Sequence, residues 1–286
     1  MGHARSAELS DGGTSHGAAS PGRAGARAPA ITVVEAALRR DRVLVISALT
    51  AACLLCWAWL VPVARDMYGP MHGAAAWMRT GGTDVRSAAL LLAMWAVMMS
   101  GMMLPAAAPT LLLFALVVRM HDGAHLKARL CAFAAGYLAV WSAFALVATL
   151  LQQLLGAWLL LSPMMQLRSP AASGAVLLAA GIYQLTPAKR SCLNSCRTPV
   201  AFIARYYRPG NAGALRLGLI HGGYCLGCCW ALMLLLFAAG VMNLLAIAAI
   251  AIFVLLERAA PFAAQGGRLS GALLIACGAL LLARSL

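Results

Sequence analysis

Leu90-Leu-Leu-Ala-Met-Trp-Ala-Val97 and Ala231-Leu-Met-Leu-Leu-Leu-Phe-Ala-Ala239 are unbroken apolar runs. Strands of a membrane barrel alternate apolar and polar residues, about ten at a time. Continuous runs fit helices instead, each needing about 20 residues to cross a bilayer. The rest of the chain agrees: of 286 residues, 63% are hydrophobic and 10% charged, and the mean hydropathy is +0.84. A soluble domain carries about 25% charged residues, so too few polar side chains are present here to clothe a water-facing surface. In lipid every backbone group needs an internal partner, which leaves helices or a closed barrel. The expected class is all-α, a polytopic transmembrane helix bundle of about seven spans.

The spans are expected near 43–63, 87–117, 130–151, 171–187, 216–240, 243–260 and 268–284. Pro105 and Pro109 should kink or end the second, because proline lacks an N–H and clashes one turn back. Residues 1–42 read as a disordered basic tail and 43–286 as the helical domain; no apolar run precedes Val43, so the first span reads as retained. The net charge of +14 lies in tails and loops, where it sets orientation rather than forming a nucleic-acid surface. Six Lys and Arg lie in the tail up to Arg42, three between the second and third spans, six between the fourth and fifth, and two between the sixth and seventh. Five lie on the alternate side: Arg65, Arg79, Arg86, Arg168 and Arg284. The positive-inside rule then predicts a cytoplasmic N-terminus and an outer C-terminus, in a bacterial inner membrane.

Three groups of sulfur-bearing residues carry candidate chemistry. Met94, Met98 and Met102 recur at i, i+4 and i+8 and share a helix face, with Met99 and Met103 on an adjacent ridge. Thioethers are soft neutral ligands suited to Cu(I), although Met is also a common apolar filler. Thr186-Pro187 looks like a helix start, and a short helix from there puts Cys192 and Cys196 on one face, beside Lys189, Arg190 and Arg197, whose charges favour thiolate. The pair reads as a ligand or redox pair, or as spare reduced cysteines. His221, Cys225, Cys228 and Cys229 fall at i, i+4, i+7 and i+8, a single stripe. That set suits a soft metal, against a reading as packed inert cysteines. Gly218, Gly222, Gly223 and Gly227 thin the same helix for close approach of a partner. By helical rise, Cys225 sits about 14 Å and Met98 about 16 Å from opposite faces, both near the midplane, with Cys192 and Cys196 at the cytoplasmic mouth.

Weaker signals surround these. Cys53 and Cys56 form a CxxC inside an apolar span and read as packing, as do Cys131 and Cys277. Glu257 is an acidic group at membrane depth, functional by default, or a local partner of Arg258. Met67, Met71, His72 and Met78 in the outer loop, and His121 with His125 in a cytoplasmic one, are minor metal candidates; His3 and His16 read as solvated.

Met94-Trp-Ala-Val-Met-Met99 with Pro105, Gly181-Ile-Tyr-Gln-Leu-Thr-Pro187 with Lys189, Cys192-x3-Cys196-Arg-Thr-Pro199, and Gly222-x2-Cys225-x-Gly-Cys228-Cys229-Trp230 occur in that order. Together they resemble a bacterial family of integral membrane proteins described as predicted metal-binding, over roughly residues 87–260. The resemblance implies a metal site on Cys192, Cys196, Cys225, Cys228 and Cys229, with the Met-rich helix as accessory. The expected function is handling of a soft metal, Cu(I) ahead of Zn(II), in transport, sensing or delivery. Its partners would be the lipid bilayer and a metallochaperone or metalloenzyme. A thiol–disulfide relay and a structural subunit of a membrane complex are the alternatives. No P-loop and no segment long enough for an ATPase domain is present, so ATP-driven pumping within this chain is not expected, and metal handling rather than catalysis is the leading reading.

Overall fold

The computed structural model describes residues 27–68, 85–162, 165–259 and 263–285. Contact clustering separates Met1–Arg39 from Arg40–Leu286, and every contact below lies within the second unit. In order the helices are α1 (Arg27–Tyr68), α2 (Val85–Asp122), a 3-10 turn at Gly123–His125, α3 (Leu126–Ala157), α4 (Pro170–Leu185), α5 (Pro187–Arg197), α6 (Pro199–Tyr206), α7 (Gly210–Ala239), α8 (Leu244–Ala259) and α9 (Ala263–Ser285). The chain is all-helical, and no strand occurs among the described residues; Leu161 and Leu167 make one isolated bridge.

Four stretches are long and apolar enough to cross a membrane: Leu38–Met67, Val85–Ala157, Gly210–Ala239 and Gln265–Ser285. Val85–Ala157 is a hairpin of α2 and α3, since its paired residues step away from the turn: Phe114 on Phe133, Met103 with Tyr137, Trp95 with Gln152. The α4–α5 pair passes the same test only as one broken span, bent by 63°. Helix α8, with 16 residues, falls short of the length.

Two expectations about helix ends change. The expected disordered tail to residue 42 is helical from Arg27, while residues 1–26 lie outside the described residues. Pro105 and Pro109 neither end nor split the second helix, which runs through both to Asp122. A proline at 105 leaves the Gly101 carbonyl without its helical donor; the Cys53 thiol from α1 supplies one, Sγ to O at 3.4 Å. That partner on a neighbouring helix is why the proline is tolerated. The sharp break comes instead at Thr186-Pro187, where the Thr186 hydroxyl accepts from the Lys189 N–H and starts α5.

Close backbone approaches set the packing. On α7, a Cβ added at Gly218 would lie 2.0 Å from the Phe133 carbonyl of α3, and one at Gly222 would meet Val140. The small-residue spacing thus serves α3 as partner, although Gly223 faces open space. Helices α4 and α9 pack glycine on glycine: Gly174 against Gly278, and Gly181 against Gly271. Helix α7 ends at Gly240, whose φ of +98° suits glycine, and Asn243 caps α8 by accepting from the N–H groups of Leu245 and Ala246. The α7–α8 link is therefore tight, with only Gly240 to Asn243 between the two helices.

Candidate metal centre

Helix α7 carries the centre of the site. Its three cysteines and His221 are all buried. They differ in what they meet. Cys225 Sγ lies 3.0 Å from the Tyr137 hydroxyl of α3, which itself donates to the Met103 carbonyl at 2.9 Å. Cys229 Sγ lies 3.9 Å from Met103 Sδ of α2. Cys228 receives a hydrogen bond from Arg258 of α8, Nη2 to Sγ at 3.2 Å.

The short helix α5 brings the second cysteine pair to the same place. Cys196 is buried and hydrogen-bonded to the Cys228 thiol. Cys192 is half-buried, and its Sγ sits 2.7 Å from the position a Gly227 Cβ would occupy. Glycine at 227 is therefore the notch that admits Cys192. The bend at Thr186-Pro187 aims α5 back at α7, and Tyr183, just before it, donates to the Gly227 carbonyl. Five cysteine side chains from two helices thus meet around one stretch of α7.

Among the described residues, no three His, Cys, Asp or Glu side chains already converge on one metal position. The reason is visible in the thiols themselves. Cys228 and Cys229 both turn back to the Cys225 carbonyl, at 3.1 and 2.9 Å, which gives each donor a partner inside a dry core.

The remaining expected ligands lie as follows. His221 packs among the rings of Phe133, Tyr137 and Phe202, with centroids at 5.9, 5.7 and 5.3 Å, and neither ring nitrogen has a partner. Met94, Met98 and Met102 are buried in the core. The thioether that reaches a thiol is that of Met103, on the ridge beside the expected face. His121 and His125 are tied locally, to the Val117 carbonyl and Asp122. Met67 is buried, while His3, His16, Met71, His72 and Met78 lie outside the described residues.

Three charged side chains complete the surroundings: Arg258, half-buried, and the buried pair Glu257 and Lys189. Arg258 also donates to the Ala106 carbonyl at 3.2 Å, and its Nε has no partner. Beside it Glu257 pairs with Lys189, Nζ to Oε2 at 2.8 Å, and both side chains are almost wholly buried. Gln184 accepts from Lys189 and donates to Glu257 at 3.1 Å and Ser270 at 3.0 Å. Glu257 therefore answers Lys189, not its neighbour Arg258, and Arg258 turns to the sulfurs. The sequence counts Arg258 among the loop charges, sets Met103 on an adjacent ridge and does not point to Tyr137. The one available signal was an acidic–basic pair closing the apolar run of α8.

Residues 92–281 match a protein family described as copper chaperone, PpoB2. This chain belongs to that family. The matched segment starts within α2 and ends within α9, so it holds the methionine helix, both cysteine groups and Arg258. Cys53 and Cys56 precede it. No curated protein and no solved structure matches the chain. Membership in a copper chaperone family places the soft donors in a copper-related domain.

Proposed function

We propose that this chain is a membrane-embedded copper chaperone that takes Cu(I) as cargo on the cysteines of α5 and α7 and passes it to a metalloprotein. The observation that carries the reading is the meeting of Cys196 and Cys192 with the α7 cysteines beside a half-buried arginine. Thiolate and thioether donors select Cu(I) over Zn(II). Charge supports the same ion. Cu(I) held by two thiolates carries a net charge of −1, and Arg258 supplies one positive charge at 3.2 Å from Cys228. The loaded centre is then neutral, as a dry interior requires. The Lys189–Glu257 pair balances itself and leaves Arg258 for the sulfurs. Cys225 and Cys228 supply the two thiolates, with Cys196, Cys229 and Cys192 alongside as neutral thiols. Met103 assists, Met94, Met98 and Met102 lie on another face of α2 and take no part in this centre, and His221 enters only by leaving its aromatic box.

Metal analysis of the reduced, anaerobically purified protein tests this: one copper per chain should survive a competing Cu(I) chelator, and zinc should not replace it. Retention of no copper would sink the reading. Arg258→Gln keeps hydrogen-bond donors but removes the charge, so the copper affinity should fall about 10–100-fold, the usual effect of residues that support metal ligands. A competition titration measures it; an unchanged affinity would remove Arg258 from the site. The thiol–disulfide relay is the second reading, favoured by the Cys196–Cys228 contact. Arg258 would serve either reading by favouring thiolate, but the relay has no use for Met103.

The seven-span topology in a bacterial inner membrane, with a cytoplasmic N-terminus and an outer C-terminus, is part of the proposal. It rests on the Lys/Arg partition and on exposed leucines of α1 and α9, such as Leu54, Leu55, Leu269 and Leu273, which need lipid as their surroundings. Reporter fusions after Asn211 and after Leu286 should report opposite sides of the membrane. The same side for both would refute it.

A further inference from the structure

Helix α1 brings two more sulfurs to the opposite side of α2, in the part of the chain that precedes the family match. Cys53 and Cys56 are one turn apart and half-buried, and they are electrostatic neighbours. Both face Gly101. Cys53 donates to its carbonyl, and a Cβ at residue 101 would lie 3.0 Å from the Cys56 Cβ. Beside them a cavity of about 220 Å³ lies between α1, α2 and α8, and Cys53, Trp57, Met102 and Pro105 help to line it. Met102 is thus a cavity residue, whereas Met103, the next in the chain, touches Cys229. Successive residues on a helix point about 100° apart, so α2 presents one thioether to each side.

We infer that Cys53, Cys56 and Met102 form a second Cu(I) site, on the far face of α2 from the α5–α7 cysteines. Helix residues three apart have Cβ atoms about 5–6 Å apart, a span that one ion bridges. The duty of Cys53 toward the Gly101 carbonyl does not account for the group, because Cys56 and Met102 make no such bond. No arginine or lysine is among the cavity-lining residues. Two thiolates on Cu(I) would therefore carry an unbalanced charge here, which makes this site the weaker of the two. The inference rests on the copper reading of the α5–α7 cluster, but the variants separate them.

The test is copper per chain in the full-length reduced protein in detergent, loaded with excess Cu(I) and desalted without a chelator. Wild type should hold two ions, Cys53→Ser/Cys56→Ser one, Cys225→Ser/Cys228→Ser one, and the fourfold variant none. A chelator should strip the α1 ion first. Serine at 53 keeps a donor for the Gly101 carbonyl, so the fold is preserved. Met102→Leu, which keeps the volume, should weaken the second ion about tenfold, a change the Cys variants cannot mimic by misfolding. Two ions retained by Cys53→Ser/Cys56→Ser, a single ion in wild type, or an unaltered second ion in Met102→Leu would each overturn the site. Failure of the α5–α7 reading looks different: Cys225→Ser/Cys228→Ser would then bind as much copper as wild type.

Discussion

Replacing Cys225 and Cys228 together by Ser should abolish the copper that resists a chelator, from one ion per chain to none, while the helical content stays unchanged. Both side chains are buried and serine is smaller and nearly isosteric, so packing survives. A hydroxyl is a hard ligand and does not replace a thiolate on Cu(I). Cys277→Ser should leave the tight ion in place, because Cys277 is exposed and distant in the chain from the cluster. Ligands must lose protons to bind, so loading should release protons and tighten as pH rises. Copper analysis after chelator challenge, with circular dichroism as the control, measures the effect. Full retention of the ion in the double variant would refute the assignment.

Lys189→Met should be the most damaging single change to stability. It strands Glu257 in the interior with only Gln184 for company. Removing one partner of a buried ion pair costs about 3–5 kcal/mol, because the other charge is left uncompensated. Replacing both, as Lys189→Met/Glu257→Leu, removes the stranded charge and should recover most of the loss. Thermal unfolding in detergent distinguishes the cases. If the single variant unfolds at the wild-type temperature, or the double variant is no better than the single, the pair is not the structural clamp described here.

Much of the fold is legible in the sequence because one property, long apolar runs, dictates it. The stripe His221, Cys225, Cys228 and Cys229 is legible for the same reason: helical periodicity fixes which residues share a face. What periodicity does not contain is which faces meet. The approach of Cys196 to Cys228 depends on a 63° bend and on the missing Cβ at Gly227. The motif order is silent on both. Met103 was assigned to the neighbouring ridge because the spacing of Met94, Met98 and Met102 looked better, yet only the packing of α2 against α7 decides which thioether reaches a thiol. Arg258 was counted with the loop charges since a basic residue at the end of an apolar run orients a span in most proteins. Here the carbonyl of Ala106 and the Cys228 sulfur draw it inward. The prolines mislead in the other direction, because the Cys53 donor that repairs the Gly101 carbonyl comes from another helix. His221 lay on the expected stripe, and its aromatic neighbours come from α3 and α6, which spacing within α7 does not reveal.

The glycine contacts between α4 and α9 bear on the order of events during synthesis. Gly174 and Gly181 are made long before Gly271 and Gly278, so the face of α4 that they form must wait, uncovered, until α9 emerges. Helix α4 is the stalk that holds α5, and with it Cys192 and Cys196. A nascent chain therefore carries its α7 thiols before the α4–α9 contact that backs the α5 arm is complete. On the proposed copper reading, capture with full affinity would then be a property of the finished molecule, and a half-made copy would be spared from trapping an ion it has no means to pass on.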